Sequence, residues 1–248
     1  MKIVALIRTL NEAHRIEACC QSYSEFCDEV LIADGGSEDN TVELALNFPK
    51  VRVRPYHNRV ECANGIWRNP DGPHLNFLYD WGREIGADWI ISQDCDQRPN
   101  KFLKQDIRGI MEKSTRDFVM ATQIFLWKNT HYFPNMSRTD TVYDHVPAIH
   151  GKWSHGIWAH RASINLIVID KMPHYEFSLD GTKSILPETL EMDETIDPPY
   201  CFLHFGWEND AMVDKMIKYY RTSDLIPVQA HPLEFCGLPK PLEDWMVE

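Results

Sequence analysis

The chain has 248 residues, 44% of them hydrophobic and 25% charged, a length and composition that can bury a substantial core. Its 37 acidic residues against 25 basic ones give a net charge of -12. That balance argues against general nucleic-acid binding, where a basic field neutralising phosphates supplies much of the affinity. The longest apolar run, Ile164 to Ile169, is interrupted by Asn165 and falls well short of the ~20 residues of a membrane span. The opening Met-Lys-Ile-Val-Ala-Leu-Ile-Arg reads as too short for a secretory signal, so a cytoplasmic protein is expected, with peripheral membrane contact left open. Cysteines at 19, 20, 27, 62, 95, 201 and 236 form no Cys-x-x-Cys pair and suit free thiols in a reducing compartment.

Lys2 to Arg8 reads as a buried strand and Arg15 to Phe26 as a helix. Glu29 to Ala33 is a second buried strand, stopped by Asp34-Gly35-Gly36. Asn40 is the expected N-cap of the next helix, with Glu43 at capping-box spacing. Val51 to Arg54 suits a short strand. Leu75, Leu78, Trp81 and Ile85 fall on one helical face, and Asp88 to Ser92 is a further buried strand running into Asp94-Cys95-Asp96. This alternation predicts an α/β fold with a parallel sheet, whose ligands bind at the carboxyl ends of the strands. From about Phe118 the rhythm changes to longer, mixed strands. A strand at Tyr200 to Phe205 and a helix from about Glu208 to Arg221 close the pattern.

Three polar clusters follow buried strands. Asp94-Cys95-Asp96 sets two carboxylates one residue apart, the donor set that a hard divalent cation and a diphosphate leaving group require. Asp34 ends the second strand, where an acid can accept hydrogen bonds from a ribose hydroxyl or a base N–H while Gly35 and Gly36 allow close backbone approach. Arg8-Thr9-Leu10-Asn11-Glu12 is the third loop, which alone would pass for a simple helix start.

Taken in order, the Thr-x-Asn-Glu loop, Asp-Gly-Gly-Ser-x-Asp-x-Thr and Asp-Trp-Ile-Ile-x-x-Asp-x-Asp resemble the N-terminal half of family 2 glycosyltransferases of the GT-A type, over residues 2 to 100. The resemblance implies a Rossmann-like, mostly parallel central sheet flanked by helices, with a mixed acceptor-side lobe. One domain would span 1–248, divided into a donor half (1–117) and an acceptor half (118–248). It implies a transferase dependent on Mn2+ or Mg2+ that moves a sugar from a nucleotide-sugar donor, a UDP-sugar by preference, to an acceptor hydroxyl of a glycan or other molecule, with inversion. Thr9, Asn11, Glu12 and Asp34 would contact the nucleotide, Asp94 the ribose or sugar, and Asp96 the metal. Arg59 and Asn76 fall where the family often places polar donor contacts. Two departures stand out: Arg8-Thr9 where Pro is common, and Gln97 where Glu often follows the paired acids.

In the second half, His204 precedes Phe-Gly-Trp-Glu-Asn-Asp and a segment bearing Lys215 and Tyr219-Tyr220, similar to the closing motif of some bacterial members. The resemblance implies that His204 completes the metal shell, and a satisfied, partly buried histidine is the competing reading. His145, His150, His155 and His160 recur every five residues, a period that matches no helical or strand face, so no metal cluster is expected there. Trp153 and His155 are candidates for the acceptor pocket, since aromatic faces stack on sugar rings. The general base that inversion needs is assigned to Asp193, ahead of Asp180, Glu188 and Glu194. A dehydrogenase or P-loop enzyme is disfavoured because neither glycine motif is present. A sugar nucleotidyltransferase, or a non-catalytic carbohydrate-binding protein on the same fold, stays as the alternative.

Overall fold

The computed structural model describes residues 1–61, 67–68, 70–132, 155–171, 174–182, 195–214, 239–242 and 244. In chain order its elements are β1 (Ile3–Thr9), α1 (Ile16–Ser24), β2 (Glu29–Asp34), α2 (Thr41–Ala45), β3 (Val51–Pro55), β4 (Val60–Glu61), β5 (Trp67–Arg68), α3 (Asp71–Glu84) and β6 (Trp89–Asp94). There follow β7 (Gln97–Pro99), α4 (Lys101–Lys113), β8 (Phe118–Trp127), β9 (His131–Tyr132), β10 (His155–Arg161), β11 (Ile167–Lys171), β12 (His174–Ser178), β13 (Thr195–Trp207) and β14 (Lys240–Pro241). They fall into two compact units interleaved along the chain: one of residues 1–95, 104–119 and 157–194, the other of 96–103, 120–156 and 195–248.

The first unit is built on strands in the order β10-β6-β1-β2-β3. β1 runs parallel to β2 and to β6, β2 runs parallel to β3, and β10 is antiparallel to β6. β1 is apolar on both faces because both are covered, as strands of parallel sheets are. Val4 and Leu6 join Leu31, Ala33 and Ile90 under Leu75, Leu78 and Trp81 of α3. Ile3, Ala5, Ile7 and Ile32 alternate to the opposite face, where they too are buried. Gly82 lets α3 approach closely, since a Cβ there would lie 3.3 Å from Ile90 and 3.4 Å from Leu6. The register pairs Thr9 with Asp34 and Arg8 with Asp94, so the loops singled out from the sequence share one carboxyl edge. The strand order reverses between β6 and β1, the place where open α/β sheets leave a crevice for ligands.

One local expectation is corrected. Asn40 stands at the N-cap of α2, but at φ -78 and ψ 14 its side chain makes no cap hydrogen bond. Asp39 takes that role, its Oδ1 accepting from the Thr41 N–H at 3.0 Å while its other oxygen reaches the Ala13 N–H at 3.1 Å. A residue already turned toward the helix cannot aim its side chain back at the first turn.

In the second unit the order is β14-β9-β8-β13-β7, with β13 parallel to β8 and antiparallel to β7. The strands pair in mixed directions, as the change of rhythm from about Phe118 predicts. β13 is longer than the predicted strand, and its register on β8 shifts between Ile196 and Cys201, where Asp197-Pro198-Pro199 intervenes. Proline lacks the N–H a ladder needs, which confines it to such irregularities. Asn100 secures the shift: its side chain donates to the Pro199 carbonyl at 2.6 Å and accepts from the Leu103 N–H at 2.9 Å. Ile124, Leu126, Tyr132, Cys201, Leu203 and Phe205 form the core of this unit. The thiols of Cys19, Cys20, Cys27 and Cys201 are buried and free. No helix among the described residues is long and apolar enough to cross a membrane.

Candidate nucleotide and metal sites

In the first unit the loops after β1 and β2 clasp each other. Asp34, 5% exposed, accepts from the Thr9 hydroxyl at 3.2 Å, from the N–H groups of Gly36 and Ser37 at 2.9 Å each, and from the Ser37 hydroxyl at 2.5 Å. Asn11 adopts φ +57, a left-handed conformation that Asn tolerates. From there its N–H donates to Ser37 Oγ at 2.9 Å and its Oδ1 accepts from the Glu38 N–H at 2.8 Å. The Glu12 N–H donates to the Thr41 hydroxyl at 2.8 Å, and the Glu12 carboxylate pairs with Arg15 at 3.2 Å. Thr9, Asn11, Glu12 and Asp34 therefore form one hydrogen-bonded body.

Arg59 extends it, donating through Nη2 to the Gly36 carbonyl at 2.7 Å and through Nε to that of Gly35 at 3.3 Å. Gly36, at φ +94, has no room for a side chain: a Cβ would lie 3.0 Å from His57 Nδ1. Asn76 is placed differently. Its amide donates to the Val168 carbonyl at 2.9 Å and accepts from the Val168 N–H at 2.8 Å, so both ends are used in anchoring β11 to α3.

Asp94 closes β6 beside β1. Its Oδ1 accepts from Arg8 twice, from Nε at 3.1 Å and Nη2 at 2.5 Å, while Arg8 Nη1 donates to Asp71 Oδ1 at 2.5 Å. Sequence reasoning registered Arg8 only as a departure from the family pattern. The available signal was the partner it faces: a cation at the end of β1 opposite an acid at the end of β6. One turn beyond Asp71, His74 is buried against the Ala33 carbonyl at 3.0 Å and stacked on Tyr56. Burial, reinforced by the Arg8 charge, pushes its pKa down to about 4, so it is neutral at physiological pH.

His160, the last of the five-spaced histidines, is fully buried edge-on to Tyr79, and burial likewise brings its pKa to about 4. It is a core residue.

In the second unit His204 and Asp96 meet. His204 Nε2 lies 3.7 Å from Asp96 Oδ2, and the Phe205 N–H donates to the Asp96 carbonyl at 2.7 Å. Gly206 makes room for the ring, because a Cβ there would stand 2.5 Å from His204 Cε1. The Gly206 N–H donates weakly to His204 Nδ1 at 3.3 Å, and Phe125 packs against the imidazole. Two ligands of one octahedral cation stand about 3 Å apart at right angles and about 4 Å apart when opposed. The observed 3.7 Å matches neither separation, so the two side chains have the chemistry of divalent-cation ligands but would have to draw closer together to share one ion's shell. The described residues contain no group of three or more metal-ligating side chains, so phosphate oxygens and waters would have to complete it.

Of the remaining candidates, Trp153 and Asp193 lie outside the described residues. His155 falls in β10, but its side chain is not among those described. Asp180 locks the turn after β12, accepting from the Thr182 N–H at 2.8 Å. The helix predicted from about Glu208 is seen at residues 210–214, and its continuation lies outside the described residues.

A parallel sheet carries these three loops in this order along its carboxyl edge, as the resemblance drawn from the sequence implies. The chain is similar to curated relatives: it is 33% identical over 129 residues to an uncharacterized glycosyltransferase of Rickettsia bellii, covering 50% of this chain and 38% of that protein. A second, from Mycoplasma pneumoniae, is 31% identical over 153 residues, covering 56% of this chain and 48% of the relative. These matches bear out the family resemblance drawn from the sequence for the aligned half. The chain spans about a third to a half of the length of the curated relatives it matches. Among solved structures, Staphylococcus aureus TarS is similar at a TM-score of 0.46 and 18% identity, covering 66% of this chain and 29% of that one. No family model matches the chain.

Proposed function

We propose that this chain is a glycosyltransferase that takes a sugar from a nucleotide-diphosphate donor and passes it to an acceptor hydroxyl. The observation that carries this reading is the meeting of the polar loops after β1, β2 and β6 at the carboxyl edge of a parallel sheet, at its reversal of strand order, with Asp34 locking the first two loops together. Thr9, Asn11, Glu12, Asp34 and Arg59 would line the nucleotide subsite, and Asp94 would accept a hydrogen bond from a donor hydroxyl. Asn76, with both ends of its amide on Val168, supports α3 instead.

Asp96 and His204 would hold Mg2+ or Mn2+, whose chemistry is to offset negative charge on a departing diphosphate. A histidine nitrogen must be free of its proton to bind a cation, so binding through Nε2 would put the ring proton on Nδ1 and give up the weak hydrogen bond from the Gly206 N–H. Asp193 as general base, with Trp153 and His155 at the acceptor, completes an inverting single displacement. The acceptor hydroxyl loses its proton to the carboxylate as its oxygen bonds to the anomeric carbon, and the sugar–phosphate bond breaks on the opposite face. A cytoplasmic enzyme acting on glycans suits this composition.

The test is incubation with UDP-, GDP-, CDP- and TDP-sugars, with and without Mn2+, followed by nucleotide release. Slow, metal-dependent hydrolysis of one donor is expected. Binding of a nucleotide-sugar with no release under any condition would instead favour a non-catalytic binding protein. No binding and no hydrolysis across the panel would defeat both.

A further inference from the structure

We propose that Arg8, braced by Asp71, is a positioning residue that fixes which oxygen Asp94 offers to a donor hydroxyl; this rests on the nucleotide-sugar reading above. Arg8 stands directly across the sheet from Asp94, at the reversal of strand order between β1 and β6. An arginine usually meets a carboxylate fork to fork, one N–H on each oxygen. Here both Nε and Nη2 converge on Oδ1 of Asp94. Among the described residues Oδ2 of Asp94 accepts no hydrogen bond.

The third donor, Nη1, is tied to Asp71 in the first turn of α3, so the guanidinium is held from two directions. The exposures match this division of labour: the Arg8 side chain is 14% exposed and that of Asp94 41%. One oxygen of Asp94 is consumed inside the protein while the carboxylate still opens outward.

A purely structural role explains less. β1 and β6 are already joined by a ladder from Ile3 to Arg8, and α3 is already anchored by its apolar face. An ion pair added for cohesion has no need to bring two donors to one oxygen. Nor does the neighbouring His74 share the task, being neutral and occupied with the Ala33 carbonyl. Lysine at position 8 would supply a point charge without the planar fork, so it would hold the carboxylate near the same place without fixing its rotation.

The experiment compares two ligands by titration calorimetry in Mn2+: the ribonucleoside diphosphate that the wild type binds best, and its 2′,3′-dideoxy analogue. The wild type should prefer the ribonucleotide by about tenfold or more, as for a hydrogen bond to a charged group. Arg8→Met and Arg8→Lys should lower that ratio to near the value of Asp94→Asn. The double variant Arg8→Met/Asp94→Asn should be no worse than either single one, because residues acting as a unit are not additive. Asp71→Asn, milder toward folding, should lower the ratio by a smaller factor.

If the Arg8→Lys and Asp71→Asn proteins are folded by thermal unfolding and keep the wild-type ratio, Arg8 is only a brace and the inference is overturned. A wild type that binds both nucleotides equally overturns it too, while leaving the proposed function standing. A wild type that binds no nucleoside diphosphate removes the proposed function and this inference together.

Discussion

The two units arrange their candidate ligand-binding side chains in opposite ways. In the first, Asp34 accepts from four donors and Asn11 stitches one loop to the other, so the loops are locked together by the chain's own hydrogen bonds. In the second, Asp96 and His204 face each other across 3.7 Å, too far for a hydrogen bond between them. A ribose or base is read by fixed donors and acceptors, which reward preorganisation. A cation that must neutralise changing charge is better served by few protein ligands and replaceable waters.

The sharpest way to break this contrast is Asp96→Ala. Nucleotide binding that depends on Mn2+ should fall on the order of 100-fold or more, with the unfolding midpoint little changed. Binding that survives at wild-type strength would remove Asp96 from the metal shell.

Next in size is a pH effect confined to the first unit. His74 and His160 are neutral in the folded chain, with pKa values brought from 6.5 to about 4 by burial. The unfolded state therefore binds more protons below pH 6.5, and stability falls as pH drops from there toward 4. Each histidine contributes up to about 3 kcal/mol of that loss. Urea denaturation at pH 7 and at pH 4.5 should show the decline. Replacing both histidines by glutamine should flatten it beyond what the carboxylates leave. An unchanged slope in the double variant would contradict the burial argument.

Gly206→Ala probes the second unit more gently than Asp96→Ala does. The new methyl would meet the His204 ring at 2.5 Å, so the imidazole must turn, and Mn2+ affinity should drop about tenfold while the clasp around Asp34 is unaffected. Affinity equal to the wild type would mean that His204 is no ligand. The smallest expected change in function belongs to Asn76→Ala. It should cost about 1–3 kcal/mol of stability by stranding the Val168 groups, and leave nucleotide affinity where it was. Weakened nucleotide binding at unchanged stability would return Asn76 to the donor site.

The first unit's sheet and loops were legible from sequence because each of their signals is local. Ile3 to Ile7 and Val30 to Ala33 are apolar runs that only a doubly covered strand explains, and the loops that follow carry their chemistry within a few residues. What sequence did not reveal was pairing across distance. The grip of Arg8 on Asp94 spans 86 positions and that of Asn76 on Val168 spans 92, and only the sheet register and helix packing bring them together. Asn40 holds the N-cap position expected of it, but the capping side chain is that of adjacent Asp39, and the backbone dihedrals of Asn40 decide between them. In the second unit β13 begins before the strand expected at Tyr200, because the chain accommodates Pro198 and Pro199 as a register shift between Ile196 and Cys201.

The buried thiols carry one last consequence. Burial pushes the Cys20 thiol up to about 12, and those of Cys27 and Cys201 higher still, so almost no thiolate is present at neutral pH to meet an alkylating reagent. Modification must wait until the surrounding structure opens. Cys20 and Cys27 belong to the first unit and Cys201 to the second, so peptide-resolved alkylation turns the native chain into its own pair of clocks. If the two units open independently, the clocks run at different rates. A single shared rate would mean that the chain comes apart in one step.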